Sequence, residues 1–172
     1  MSAWEVILAT LTDEFSDLSD IEQATRVTLR LVLAAFLGGI LGYEREYQGK
    51  SAGVRTHMLV SLGAALFVLA PDQAGAMDDA MSRVIQGVVA GVGFLCAGTI
   101  LKSDNLTEVK GLTTAAGIWL TAAIGVAVGL GHEATAVLAT LLALFILHLL
   151  PLMLEREDTR EDVKNDRNMD EH

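Results

Sequence analysis

The chain has 172 residues and a formal net charge of −10, with a mean hydropathy of +0.44. An acidic chain without a Lys/Arg block excludes a nucleic-acid binder, which needs cationic contacts to phosphate. Charge is absent from Gly111 to Gly131 and from Ala134 to Leu154; about 20 such residues carry a helix across a bilayer, which excludes an ordinary cytosolic enzyme.

Residues 1–24 form an acidic leader. Trp4, Val6, Ile7, Leu8 and Leu11 precede Asp13, Glu14, Asp17, Asp20 and Glu22, a pattern for either a short interfacial helix or a solvated end. Glu5 interrupts the apolar run and no basic region opens it, so it does not read as a signal peptide. Five apolar segments follow, near 25–43, 54–70, 84–101, 112–130 and 134–154, the second stopped by Pro71. Segments three to five carry no periodic charged face of the kind a soluble helix shows. The first two are short for a span, and the fifth is the most hydrophobic.

Lys and Arg counts in the leader, the four loops and the tail run 0, 3, 1, 2, 0 and 4. This alternation predicts five spans with the N-terminus outside and the C-terminus in the cytoplasm. The fold expected is therefore all-α: a membrane bundle of five transmembrane helices over 25–154, followed by a polar, disordered tail over 155–172. The lipid bilayer is its first partner.

Glycine is concentrated in the spans. Gly38, Gly39 and Gly42 lie in the first, and Gly87, Gly91, Gly93 and Gly98 in the third. Small residues let helix backbones approach where lipid removes the hydrophobic drive between helices. Tight bundle packing is expected of most of them, a broken helix at Gly91–Gly93 is the functional alternative, and Gly87 with Gly91 is the face expected to form a homodimer. There is also an internal echo: Gly53 and Thr56 open the second span as Gly111 and Thr114 open the fourth, which suggests a parallel repeat of two-span hairpins.

Ionisable residues near a bilayer raise functional questions. Arg30 lies inside the first span and either snorkels outward or pairs with Asp78 or Asp79, with Arg83 and Gln86 completing an outer polar cluster. The first loop, YEREYQGKSAGVRTH, is the densest polar run between spans. Positive-inside anchoring explains Lys50 and Arg55 but not Glu44 and Glu46, so a specific role is expected of Glu44, Arg45, Glu46, Arg55, Thr56 and His57. Cys96 reads as a packing residue, and as a single cysteine it excludes a disulfide framework or a cysteine zinc site. No G-x-S-x-G, H-E-x-x-H or P-loop occurs. No enzyme activity, cofactor or metal site is expected.

GYERE, GVRTHMLVSLGA, GFLCAGTI and VKGLTTAA, in this order over about residues 25–150, resemble the MgtC/SapB family of bacterial inner-membrane proteins. The resemblance implies a link to growth at low magnesium and, in pathogens, to survival in host cells, without fixing a molecular activity. It matches Arg30, Glu44, Arg45, Glu46, Arg55, Thr56, His57, Arg83, Lys110, Thr113 and Thr114 to the family pattern, and Asp79 more loosely. Several members carry a C-terminal ACT-like domain, where this chain has only a polar tail. The function expected is regulation of, or interaction with, another membrane complex; the alternative is a transporter or channel for an ion or small solute.

Overall fold

A computed structural model describes residues 2–14, 16, 20–73, 75, 77–102 and 109–149. Six α-helices run in order: α1 (Ala3–Glu14), α2 (Ile21–Tyr47), α3 (Val54–Gln73), α4 (Asp78–Thr99), α5 (Leu112–Gly129) and α6 (Glu133–Leu144), the last continued by a π-helical turn, Phe145–Leu149. Two-residue strands β1 (Leu101–Lys102) and β2 (Val109–Lys110) pair antiparallel between α4 and α5. Four helices, α2 to α5, are long and apolar enough to cross a membrane, and Glu133–His148 is a shorter apolar helix. The fold is an all-α membrane bundle.

The boundaries have local causes. Asp20 caps α2 by accepting from the Glu22 backbone N–H at 3.1 Å. Helix α2 has 27 residues, about 40 Å at 1.5 Å per residue, more than one hydrocarbon core. Pro71 does not stop α3 as expected: it sits in the last turn, and the helix runs to Gln73. A proline there forfeits a single ladder bond just before the helix would end. The leader does form a helix, α1, but none of its side chains is buried. The tail expected over 155–172, and the end of the fifth segment, lie outside the described residues.

Helix α5 is the centre. Half of its span is buried, against 6% for α4. Its small residues explain this: Gly125 approaches the Ser61 backbone and Gly129 approaches Ala65 and Val68, all on α3. Helix α2 packs against both α3 and α5. A Cβ at Gly38 would stand 2.6 Å from the His57 carbonyl oxygen, and one at Gly42 2.6 Å from the Val54 Cα. Gly39 meets only the Met58 side chain, at 3.3 Å. These contacts make α3 and α5 parallel to one another and antiparallel to α2. Leu37, Leu41, Ala65, Ile124, Val128 and Ala136 form the core between α2, α3, α5 and α6.

The glycines of the third segment behave differently from those of the first. A Cβ added at Gly87, Gly91, Gly93 or Gly98 would meet nothing within 4 Å among the described residues, so these positions are open on the rest of the described bundle. Helix α4 touches the bundle through Val88 and Val92 and runs unbroken through Gly91–Gly93.

Gly42→Ala is therefore expected to lower stability by about 1–3 kcal/mol through overpacking. Gly93→Ala should leave it unchanged or raise it by up to about 1 kcal/mol, as a glycine-to-alanine change in an open helix does. Thermal unfolding of the two variants in one detergent measures the contrast.

Candidate functional site

Polar side chains gather at both ends of the α2–α3–α5 interface. At the α2–α3 loop end, Arg45 Nε donates to Glu44 Oε2, and both side chains are buried. His57 follows on α3 and is 0% exposed. Its Nδ1 lies 3.0 Å from the Gly53 carbonyl oxygen. Gly38 and Gly42 let α2 approach the His57 carbonyl and Cβ, and Gly117 on α5 faces the ring, where a Cβ would stand 3.6 Å from Nε2 in ordinary contact. Ser61, one turn further, is also fully buried. Among the described residues, three polar atoms here lack a hydrogen-bond partner: Glu44 Oε1, His57 Nε2 and Ser61 Oγ. Such atoms are uncommon in native interiors, and each calls for an explanation.

Glu46 has a different task. Its Oε2 accepts from the Val54 backbone N–H at 2.9 Å, capping α3 from across the loop. Gly53 is small because Glu46 Oε2 lies against it. Arg55 and Thr56 point outward and are exposed, as are Lys110 and Thr113, whereas Thr114 is buried. Cys96 is half-buried and its Sγ donates to the Ala115 carbonyl at 3.2 Å.

At the opposite end the structure corrects the expected Arg30 pair. Asp79 is exposed on α4, as are Asp78, Arg83 and Gln86. Arg30 instead donates from Nη1 to the Gly129 carbonyl at 3.0 Å. Its ion partners are Glu133, with Nε to Oε1 at 3.5 Å, and Asp72, with Nη1 to Oδ2 at 3.8 Å. The Nε contact is one of charge rather than an aligned hydrogen bond. The side chain is only 14% exposed, so Arg30 is held inward and does not simply snorkel. Gly131, at φ +83, is required twice over: L residues avoid this conformation, and a Cβ would strike the Arg30 guanidinium. Glu133 was legible as the single acid of a three-residue connection on the same predicted side as Arg30. Asp72, Arg30, Arg26, Glu22 and Asp20 also line an open cleft of about 350 Å³. Among the described residues, no three His, Cys, Asp or Glu side chains converge as a metal site would require.

A family model described as the MgtC family matches residues 31–156. The chain belongs to the MgtC family. Protein SrpB of Synechococcus elongatus is 44% identical over 132 residues, which cover 70% of this chain and 72% of SrpB. The putative magnesium transporter YhiD of Escherichia coli K12 is 43% identical over 69% of this chain and 58% of its own length. Protein MgtC of Salmonella typhimurium is 40% identical over 67% of this chain and 48% of its own. The chain thus spans about half the length of MgtC itself. No solved structure matches.

In this MgtC-family chain, Arg30→Leu and Glu133→Gln should be non-additive, with a coupling of about 0.5–3 kcal/mol. Arg30→Leu and Asp79→Ala should add within about 0.5 kcal/mol. Thermal double-mutant cycles on purified protein measure both.

Proposed function

We propose that this MgtC-family chain acts in the bacterial inner membrane by associating with another membrane protein, and that it neither catalyses a reaction nor conducts a solute. The observation that carries this reading is the state of α4. It is a membrane-length helix with 6% of its span buried. Its Gly87 and Gly91, together with Leu59, Gly63 and Phe67 of α3, line an apolar groove of about 530 Å³. A small-xxx-small pair facing such a groove lets a second helix backbone approach closely. The same face would serve a homodimer.

The orientation proposed follows the Lys/Arg alternation, with the N-terminus outside. It puts the Glu44–His57 cluster on the cytoplasmic side and Arg30 on the outer side.

A transport reading has one observation in its favour, the unpartnered atoms of Glu44, His57 and Ser61, and one relative bears the name of a putative magnesium transporter. Against it stands the layer between the two polar ends. Ala34, Leu37, Ala65, Ile124 and Val128 close the interface there with apolar side chains, which offer nothing to replace hydration.

Gly91→Leu is expected to abolish co-purification of partner or second copy from native membranes while leaving the melting temperature of the isolated chain in place, because the site is open within the chain. Unchanged co-purification would reject α4 as the interface. Magnesium flux into liposomes carrying the purified chain should equal that of empty liposomes; flux above that level would favour the transport reading. A reporter fused after Pro71 should be active only in the periplasm, and a cytoplasmic signal there would reverse the orientation.

A further inference from the structure

We propose that α1 is an interfacial anchor: its stripe of Trp4, Ile7, Leu8 and Leu11 sits among the lipid headgroups beside the entry to α2, and the surface it fits is a zwitterionic phospholipid one. The four residues fall at i, i+3, i+4 and i+7. At about 100° per residue they share one side of the helix, within an arc of about 100°. Glu5, Thr12, Asp13 and Glu14 fall outside that arc. Trp4 is 68% exposed and the other three about half exposed, and no side chain of α1 is buried. The stripe is complete, and the described bundle does not cover it.

The ends of α1 are built as a helix's ends are. The Ser2 backbone N–H donates to Glu5 Oε2 at 2.8 Å, and the Glu5 backbone N–H donates to Ser2 Oγ at 3.3 Å. This is a reciprocal capping box, so the acid that interrupts the apolar run in sequence is what starts the helix. At the other end the Ser16 backbone N–H donates to the Asp13 carbonyl at 3.0 Å. Thr10 and Thr12 donate to the Val6 and Leu8 carbonyls at 2.8 and 2.9 Å, so both hydroxyls are satisfied without water. Yet α1 has only 12 residues, and a helix of that length is marginal in water when nothing packs on it. Caps alone do not hold it; an apolar surface on the stripe does.

The tether decides which surface that is. Helix α1 ends at Glu14 and α2 begins at Ile21, and the residues between them reach at most about 20 Å. The first turns of α2 carry the exposed Glu22–Arg26 ion pair and stand in water. Its exposed apolar residues Leu29, Val32 and Phe36 begin about 12 Å further along the axis. The bilayer is thus an apolar phase always within reach of α1, and tethering raises its effective concentration. Charge then selects the lipid. Interfacial helices that seek anionic membranes carry Lys and Arg on the polar face. Helix α1 has Glu5, Asp13 and Glu14 and no Lys or Arg. Anionic headgroups repel it, and its adhesion rests on the stripe.

The test uses the full chain in phosphatidylcholine nanodiscs, with Trp119→Phe leaving Trp4 as the single tryptophan. Trp4 fluorescence should be quenched by brominated acyl chains and shielded from acrylamide in the water. Leu8→Glu, on the stripe, should lower the ratio of docked to free helix by about tenfold or more, the effect of one lost apolar contact of that size. Val6→Glu, off the stripe, should leave the ratio in place. Exchanging part of the lipid for phosphatidylglycerol should lower it, and added salt should restore it. Quenching by acrylamide alone would overturn the proposal and make α1 a solvated end. Shielding from both quenchers would overturn it in favour of a protein surface, a second copy included. Equal effects of Leu8→Glu and Val6→Glu would remove the stripe, and tighter docking on phosphatidylglycerol would reject the zwitterionic surface. These readings are independent of which side of the membrane holds α1 and of whether α4 takes a partner.

Discussion

Backbone meeting backbone between α2, α3 and α5 is the contact on which the bundle depends. In lipid, two leucines gain little by leaving the acyl chains for one another, so helix association relies on close packing and the contacts it allows. Gly38 and Gly42 bring α2 onto His57 and Val54, while Gly125 and Gly129 bring α5 onto Ser61, Ala65 and Val68. Any Cβ at these four positions would collide with backbone or with a short side chain that cannot turn away. The polar groups follow from this approach. His57 and Ser61 are buried because the helices on either side come within glycine distance of them.

Hydropathy, the charge-free stretches and the clustering of glycine made the all-α membrane architecture legible before any coordinates. Those signals depend only on composition along one helix. What was not legible depends on which helix faces which. The glycines of the first and third segments look alike in sequence, yet Gly42 is walled in and Gly91 is open. Arg30 had several acids on its predicted side, and Asp78 and Asp79 in the second loop looked the better partners. The Gly131 turn instead brings Glu133 to the guanidinium, and the two residues of α3 beyond Pro71 include Asp72. Loop polarity singled out Glu44, Glu46 and His57 as a group, but not that Glu46 is a helix cap while Glu44 and His57 share the interior.

The hairpin repeat suggested by Gly53 and Gly111 has a geometric counterpart. Residues 38 and 96 are separated by the same 58 positions as 57 and 115. Gly38 lies against the His57 carbonyl, and Cys96 bonds to the Ala115 carbonyl. The two hairpins, α2–α3 and α4–α5, thus bring equivalent positions together, with a glycine in one and a longer side chain in the other. Helix α4 is the less buried of the two first helices, and it runs without a break. Helix α6 rests beside α2 and α5. The corresponding place beside α4 and α3 is the apolar groove lined by Leu59, Phe67, Gly87 and Gly91, so the chain fills on one side what it leaves open on the other.

The Glu44–Arg45 pair has no ready explanation in stability. Removing two charges from water costs several kcal/mol per ion, and well-packed apolar residues of similar volume often do as well or better. An end-of-helix position would have let either side chain reach water, yet both are buried. The pair leaves Glu44 Oε1 without a hydrogen bond and lies in the same interior as a fully buried imidazole. Gly38 and Gly42 let α2 approach the backbone and Cβ of residue 57, and Gly117 faces the ring from α5, where a Cβ would stand in ordinary contact. The imidazole is therefore buried by the close approach of α2 to α3 and by its place in the seam with α5, in the same interior as the Glu44–Arg45 pair.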